Sequence, residues 1–314
     1  MNRYPFCLFR IPENGGRVLW EITNTCNYHC SYCIFSSDAK KYENELTTEE
    51  VKNAIKELKE NNFSYIKFTG GEPFTRKDMT QILKYASELG FDMDISTNAS
   101  LITSDIAQEL KNMKFPMVHV SLDGYDLNSH EYVRGKNTFE RTLRGIRYLT
   151  ENNVYTRIGT VIYKYNEDKL EEIVKLAVEL NANEIIFSFM EAVGRLDGDE
   201  TIISKKTIDS AKKEIENLSL LYKEKIKVKY SFTENKEHKA EDFCPAVNKF
   251  LYINNLGQVS PCTWVVAKNP EYKSELTLKN STFSEIINSK PIQKYLKYIE
   301  ESKIKGCPVN RREQ

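Results

Sequence analysis

Cys26, Cys30 and Cys33 fall in one short segment, Cys26-Asn-Tyr-His-Cys30-Ser-Tyr-Cys33, directly after the apolar run Val18–Thr23. Three thiolates on one loop can each bind one iron of a cubane cluster and leave the fourth iron open to an outside ligand. A zinc site usually takes four donors from two separated pairs, and His29 is the nearest substitute for a fourth cysteine here. Three more cysteines come late, Cys244, Cys262 and Cys307, while Cys7 stands apart. Seven cysteines, an odd number, with no secretory signal over Met1 to Gly16, argue for thiols held reduced in a cytoplasm rather than for a disulfide framework. They divide into two ligand sets and one spare residue, with a zinc tail as the alternative for the late set.

Elements must hold these residues in place. Apolar runs of strand length are expected to form strands at Val18–Thr23, Tyr65–Gly70, Asp92–Thr97, Met117–Leu122, Arg157–Tyr163 and Glu184–Met190. After the first, Val51, Ile55 and Leu58 share one helical face behind a Thr47–Glu50 capping box. Helical spacing recurs at Ile82, Tyr85, Ala86 and Leu89, at Ile106 and Leu110, at Phe139, Leu143, Ile146 and Leu149, and at Leu170, Ile173, Ala177 and Leu180. Six strand-then-helix units imply an α/β fold with a parallel sheet and right-handed crossovers. Six are too few for an eightfold barrel, so an open, partial (β/α)6 TIM-like barrel is expected, with its chemistry at the C-terminal ends of the strands.

From about Ile226 the pattern changes. Another strand is expected at Ile226–Ser231, and Phe250–Ile253 and Gln258–Ser260 flank a hairpin turn, Asn254-Asn255-Leu256-Gly257. A helix is expected from Phe283 to about Ile299, with Pro291 inside it. The expected division is a barrel over residues 1–225 and a small α+β domain over 226–314.

Polar residues close the strands. Thr69-Gly70-Gly71-Glu72-Pro73 ends the second; its glycines allow close backbone approach, and Glu72 can accept charge-assisted hydrogen bonds from an ammonium. Taken alone, the same residues make an ordinary strand-to-helix turn. Ser96-Thr97-Asn98 ends the third strand, Ser121-Leu122-Asp123-Gly124 the fourth and Met190-Glu191 the sixth. Asn98 and Asp123 also favour caps and turns. Arg134 can face a carboxylate or lie on the surface, and packing would equally explain Met190.

With this loop and these strand ends, the chain resembles the radical S-adenosylmethionine (SAM) superfamily. The CxxxCxxC loop of that family, with an aromatic residue before the last cysteine, stands here as Cys26, Cys30, Tyr32 and Cys33, and Gly70–Pro73 looks like its GGEP motif. The resemblance implies a 4Fe–4S cluster on Cys26, Cys30 and Cys33, with SAM chelating the open iron and Gly70, Gly71, Glu72 and Pro73 holding its amino group. It implies further SAM contacts from Tyr32, Ser96, Asn98, Ser121, Asp123, Arg134 and Met190, although Ala99 replaces the glycine usual after Asn98. Ser121–Gly124 with His130 and Arg134-Gly135 matches the SPASM branch. Cys244, twelve residues, Gly257, four residues and Cys262 resemble the opening of SPASM and Twitch domains, and Cys307-Pro308 resembles the later Twitch ligand. One auxiliary 4Fe–4S cluster on Cys244, Cys262 and Cys307 is implied. One of its irons then lacks a thiolate and meets substrate or water, unless Cys7, Asn310 or Arg312 closes it.

Composition narrows the function. Forty-five basic and 45 acidic residues leave no electrostatic footprint for nucleic acid or an anionic membrane, and no run of ~18 apolar residues can span a bilayer. Histidines 29, 119, 130 and 238 form no acid–base constellation in the sequence. The resemblance implies reductive cleavage of SAM, fed by a flavodoxin- or ferredoxin-type reductant, and hydrogen abstraction by a 5′-deoxyadenosyl radical. The CX12GX4C tail is common among peptide-maturing members, so the expected substrate is a ribosomal peptide or related natural product. The alternative is a small-molecule enzyme. It would be an alcohol dehydrogenase acting on a sugar or aminocyclitol, or a cofactor-building GTP cyclase, whose usual C-terminal Gly-Gly is not found in Arg312-Glu313-Gln314. An iron–sulfur electron carrier would account for two clusters but not for the strand-end motifs.

Overall fold

The computed structural model describes residues 14–113, 117–192, 194–196, 198–231, 244 and 246–301. Strands β1 (Gly16–Thr23), β2 (Phe63–Gly70), β3 (Asp92–Thr97), β4 (Met117–Ser121), β5 (Thr156–Ile162), β6 (Glu184–Phe189) and β7 (Lys227–Tyr230) run parallel, each paired with the next. On the other side of β1 lies β8 (Phe250–Ile253), also parallel, followed by antiparallel β9 (Val259–Ser260). Among the described residues the order is β7-β6-β5-β4-β3-β2-β1-β8-β9, an open sheet with two free edges.

Crossovers between the parallel strands are helical: α1 (Thr48–Glu60), α2 (Met79–Glu88), α3 (Ser104–Asn112), α4 (Leu127–Arg134), α5 (Phe139–Glu151), α6 (Leu170–Glu179) and α7 (Ile208–Leu221). The expected capping box opens α1: Thr47 Oγ1 accepts the Glu50 N–H, and the Glu50 carboxylate accepts the Thr47 N–H at 2.8 Å. The segment read as opening the tail, Ile226–Ser231, supplies β7 and extends the barrel sheet, while tail strand β8 joins the same sheet at β1. In the turn before β9, Gly257 takes φ +76°, the left-handed conformation that favours glycine.

The tail continues through α8 (Thr263–Lys268), α9 (Phe283–Ile287) and α10 (Lys290–Glu301). The single helix expected from Phe283 to Ile299 is therefore two. Pro291 sits in the first turn of α10, where the N–H it lacks has no intrahelical partner to lose, so it starts a helix instead of kinking one. No helix among the described residues is long and apolar enough to cross a membrane.

The two-residue period of the strands separates two faces. Val18, Trp20 and Ile22 of β1, Ile66 and Phe68 of β2, Met93 and Ile95 of β3 and Val118 and Val120 of β4 bury in one apolar core. Val51, Ile55 and Leu58 of α1 and the matching stripes of the other helices join that core. Full burial of each such side chain contributes about 1.5–3 kcal/mol. The alternate positions carry Arg17, Lys67, Asp94, His119, Arg157 and Lys229, and all line one cavity. Side chains from β1 through β7 can share a cavity because the sheet curves around it.

Candidate active site

The cysteine loop leaves the C-terminal end of β1. Cys26, Cys30 and Cys33 line a cavity of roughly 380 Å³ together with Gly70 and Gly71 after β2, Ser96 and Asn98 at β3, Ser121 at β4 and Met190 after β6. The three thiols are free. Burial pushes Cys26 up to about 12, against the Tyr28 N–H that its sulfur accepts at 3.4 Å. Cys30 is raised by burial too, with Arg134 opposing the rise. His29, the candidate zinc substitute, is exposed and does not line the cavity. Among the described residues no group of three His, Cys, Asp or Glu could hold a single metal ion. Three free thiols on one loop, facing a common cavity, fit the donor set of a cubane, which takes one thiolate per iron.

Close approach explains the two glycines. The Gly71 N–H donates to Thr23 O at 2.7 Å, tying the loop after β2 to the base of the cysteine loop. A Cβ on Gly70 would stand 2.1 Å from Thr23 O, and one on Gly71 2.2 Å from Thr25 O. Glu72 is fully buried. Its carboxylate accepts the Thr97 hydroxyl at 2.7 Å, the Asn98 N–H at 2.7 Å and the Phe74 N–H at 3.2 Å. Burial outweighs these bonds and pushes it up to about 7. Glu72 thus clamps the end of β2 to the end of β3 and does not line the cavity, and Pro73 behind it, itself buried, opens a 3₁₀ turn.

Asn98 links that clamp to the cysteines. Its Nδ2 donates to Asn27 Oδ1 at 3.0 Å, and its Oδ1 accepts the Ser100 N–H at 2.9 Å. Ala99, standing where the resemblance expects glycine, adopts φ +60° and is fully buried.

Arg134 is 7% exposed and is no surface residue. Its Nε donates to Asp123 Oδ2 at 2.6 Å, its Nη2 to the Tyr32 hydroxyl, and its Nη1 lies 3.9 Å from Cys30 Sγ. The Tyr32 hydroxyl in turn donates to Asp123. Asp123 also accepts the Val161 N–H at 2.8 Å, so the Asx-turn alternative gives way to a buried hub. Met190 packs with Val133, Tyr163 and Leu196 and also lines the cavity.

The Radical SAM superfamily model matches residues 20–177, about half the chain, from within β1 through the cysteine loop and into α6. The chain belongs to the radical SAM superfamily. An AdoMet-dependent heme synthase of Methanosarcina barkeri is 34% identical over 190 residues, 60% of this chain and 54% of that one. A mycofactocin maturase of Mycolicibacterium smegmatis is 34% identical over 167 residues, covering 52% and 42%. A GTP 3′,8-cyclase of Campylobacter jejuni is 29% identical over 288 residues, covering 86% and 88%. The chain spans about half the length of the heme synthase it matches. Among solved structures, Streptococcus suis SuiB bound to its precursor peptide SuiA superposes with a TM-score of 0.73 over 91% of this chain and 67% of that one, at 17% identity. That likeness is one of fold: a partial TIM barrel.

Several residues that build this radical SAM cavity carry no motif. Tyr28 donates through its hydroxyl to Thr138 O at 3.0 Å and pins the loop to the start of α5. Arg195 donates to the carbonyls of Cys30 and Ser37, the latter at 2.6 Å, and holds the loop from above β6. Trp264, two residues past Cys262, lines the cavity from the tail. Cys262 itself N-caps α8, and Cys244 Sγ lies 3.4 Å from the Tyr295 hydroxyl. Cys307, Cys7, Asn310, Arg312 and His238 lie outside the described residues.

Proposed function

We propose that this chain is a radical SAM enzyme that cleaves SAM reductively and abstracts a hydrogen atom from a ribosomal peptide or related natural product. One observation carries it: three free cysteines, the Gly70–Gly71 turn, Asn98, Ser121, Arg134 and Met190 line a single cavity at the C-terminal ends of the strands. When bound, the cluster and SAM supply an electron and an adenosyl radical, chemistry that no side chain here can provide.

The chain's own residues bind, orient and exclude water. Cys26, Cys30 and Cys33 would hold the cluster. The Gly70 and Gly71 backbone, free of Cβ atoms, would let the SAM amino acid approach, while Glu72 keeps that loop in register with β3. Ser96, Asn98 and Ser121 offer hydroxyl and amide groups for carboxylate and ribose, and Met190 offers an apolar wall for adenine. Tyr32, locked by Asp123 and Arg134, shields the loop from water. In this reading the residues after β7 form a Twitch-type unit that is attached to the barrel sheet through β8, so the barrel runs past the expected boundary at 225. Cys244, Cys262 and Cys307 would bind an auxiliary 4Fe–4S cluster with one iron free of cysteine, and a flavodoxin- or ferredoxin-type protein would deliver electrons.

The peptide substrate is supported by the maturase relative and by the fold shared with SuiB. A second reading, a small-molecule substrate, has its own support in the GTP 3′,8-cyclase, matched over most of both chains. Incubating the anaerobically reconstituted chain with SAM, dithionite and a peptide encoded beside its gene tests the first reading. A mass change in the peptide with release of 5′-deoxyadenosine is expected; 5′-deoxyadenosine release with peptide unaltered would favour the second.

A further inference from the structure

We propose that Arg134 and Arg195 raise the reduction potential of the iron–sulfur cluster that Cys26, Cys30 and Cys33 would hold, both acting through Cys30. This rests on reading the cysteine loop as the cluster site, and it gives two positioning residues a part in tuning that site.

Cys30 has one guanidinium at its sulfur and another at its carbonyl. Arg134 Nη1 lies 3.9 Å from Cys30 Sγ, the reach of a long N–H···S hydrogen bond. The rest of the fork is fixed. Its Nε donates to Asp123 Oδ2 at 2.6 Å, its Nη2 donates to the Tyr32 hydroxyl, and the guanidinium carbon stands 5.5 Å from the centre of the Tyr32 ring. A guanidinium offers five N–H donors in one plane, so with Nε and Nη2 committed it is Nη1 that serves the sulfur. Cys26, by contrast, takes the neutral Tyr28 N–H at its sulfur, at 3.4 Å.

Arg195 comes from the turn after β6. Its Nη1 donates to Cys30 O, its Nη2 to Ser37 O at 2.6 Å, and its backbone N–H to Cys33 O at 3.0 Å. Gly194 before it takes φ +60°, and a Cβ there would stand 2.4 Å from Cys33 O. Glycine lets this turn press against the cysteine loop and set the guanidinium beside it.

The two charges are cancelled to different degrees. Asp123 offsets part of the charge on Arg134. Arg195 is bonded to carbonyl oxygens, and among the described residues no carboxylate forms an ion pair with it. A cluster held by thiolates becomes more negative when it takes up an electron. N–H donors and cations near its sulfurs favour that reduced form, so hydrogen bonding and local charge set the potential of such clusters. The loop is partly buried, where a neighbouring charge is felt more strongly than in bulk water. Both arginines therefore act in one direction, easing electron uptake from a flavodoxin- or ferredoxin-type donor.

The test is an anaerobic redox titration of the reconstituted full chain without SAM, followed by electron paramagnetic resonance. The signal of the loop cluster is the one missing from the Cys26→Ala, Cys30→Ala, Cys33→Ala variant. Arg195→Gln keeps an N–H donor for the carbonyls and loses the charge. It should lower the ratio of reduced to oxidised cluster at a given solution potential about tenfold, or about 59 mV for one electron. Arg195→Lys keeps the charge and should stay within about threefold of the wild type. Arg134→Gln should lower the ratio at least as far as Arg195→Gln, because its contact is with the sulfur itself. Should Arg195→Gln fail to hold its iron, Arg134→Gln, or Arg134→Met combined with Asp123→Asn, decides. Ratios unchanged in the neutral variants, or equal shifts in Arg195→Gln and Arg195→Lys, would overturn the proposal and leave the arginines as supports of the loop. A wild-type chain that lacks the signal altogether would instead defeat the cluster reading beneath it.

Discussion

Asp123 Oδ2 and Arg134 Nε meet at 2.6 Å with both side chains shut off from solvent, and this pair fixes the Tyr32 ring beside the cysteine loop. Its partners come from three places: the end of β4, the end of α4 and the cysteine loop itself. A buried pair of this kind is costly to leave half-made.

Asp123→Asn strands the Arg134 charge and should reduce unfolding free energy by about 3–5 kcal/mol. Urea denaturation of the cluster-free chain measures it. The double variant Asp123→Asn with Arg134→Met should recover part of the loss. A cost below about 1 kcal/mol for Asp123→Asn would show that the pair is not what organises this corner.

Glu72 and Glu21 should each cost stability as pH rises from about 5 to 7.5, against a gain from His119 and His130, which burial pushes down to about 3 and which stabilise the fold more as pH climbs toward 6.5. Glu72 is pushed from an ordinary 4.5 to about 7 by burial, against its hydrogen bonds. Glu21 is pushed equally far, by burial first, with the Tyr252 bond opposing and nearby Glu45 adding to the rise. Both groups bind protons more tightly folded than unfolded. Their contribution is therefore fully present below about pH 4.5 and is lost as pH climbs toward 7, by about 1–3 kcal/mol each. Asp94 and Glu184, held low, act in the opposite sense at lower pH. Between about pH 5 and 7.5 the Glu21→Gln denaturation profile should climb relative to the wild type, because the Glu21 loss is removed while the histidine gain stays. A variant profile parallel to the wild type over this window would refute the assignment.

Gly71→Ala puts a Cβ 2.2 Å from Thr25 O, a contact that only backbone movement can relieve. SAM affinity of the reconstituted chain should drop by at least about tenfold, and thermal stability should fall with it. Unchanged affinity would mean that the close approach of this turn to the cysteine loop has no bearing on binding.

Much of this was legible in the sequence because period-two runs and glycine-rich strand ends are local signals. Asp92–Thr97 and Phe250–Ile253 form strands with the bounds their apolar runs suggest. Motif residues from loops far apart in sequence do meet in one cavity. What was not legible depends on distant contacts. Burial of Arg134 depends on α4 docking over the cysteine loop, and the role of Glu72 depends on donors from Thr97 and Asn98, twenty-five and twenty-six residues away. Nothing local marks Arg195 as a support for the loop. Helix α7 did carry a signal, the Thr207 cap with Ala211, Ile215 and Leu218 on one face, within a stretch that otherwise reads as solvated lysine and glutamate.

The central claim is that Cys26, Cys30 and Cys33 hold the cluster that drives SAM cleavage. Its most direct test is the release of 5′-deoxyadenosine from SAM under dithionite, comparing the reconstituted wild-type chain with the Cys26→Ala, Cys30→Ala, Cys33→Ala triple variant. Release by the wild type and none by the variant is expected, with about four of some eight irons retained on the variant by the tail cysteines. Release by the variant at the wild-type rate, or no release by a wild-type chain loaded with iron and sulfide, would contradict it.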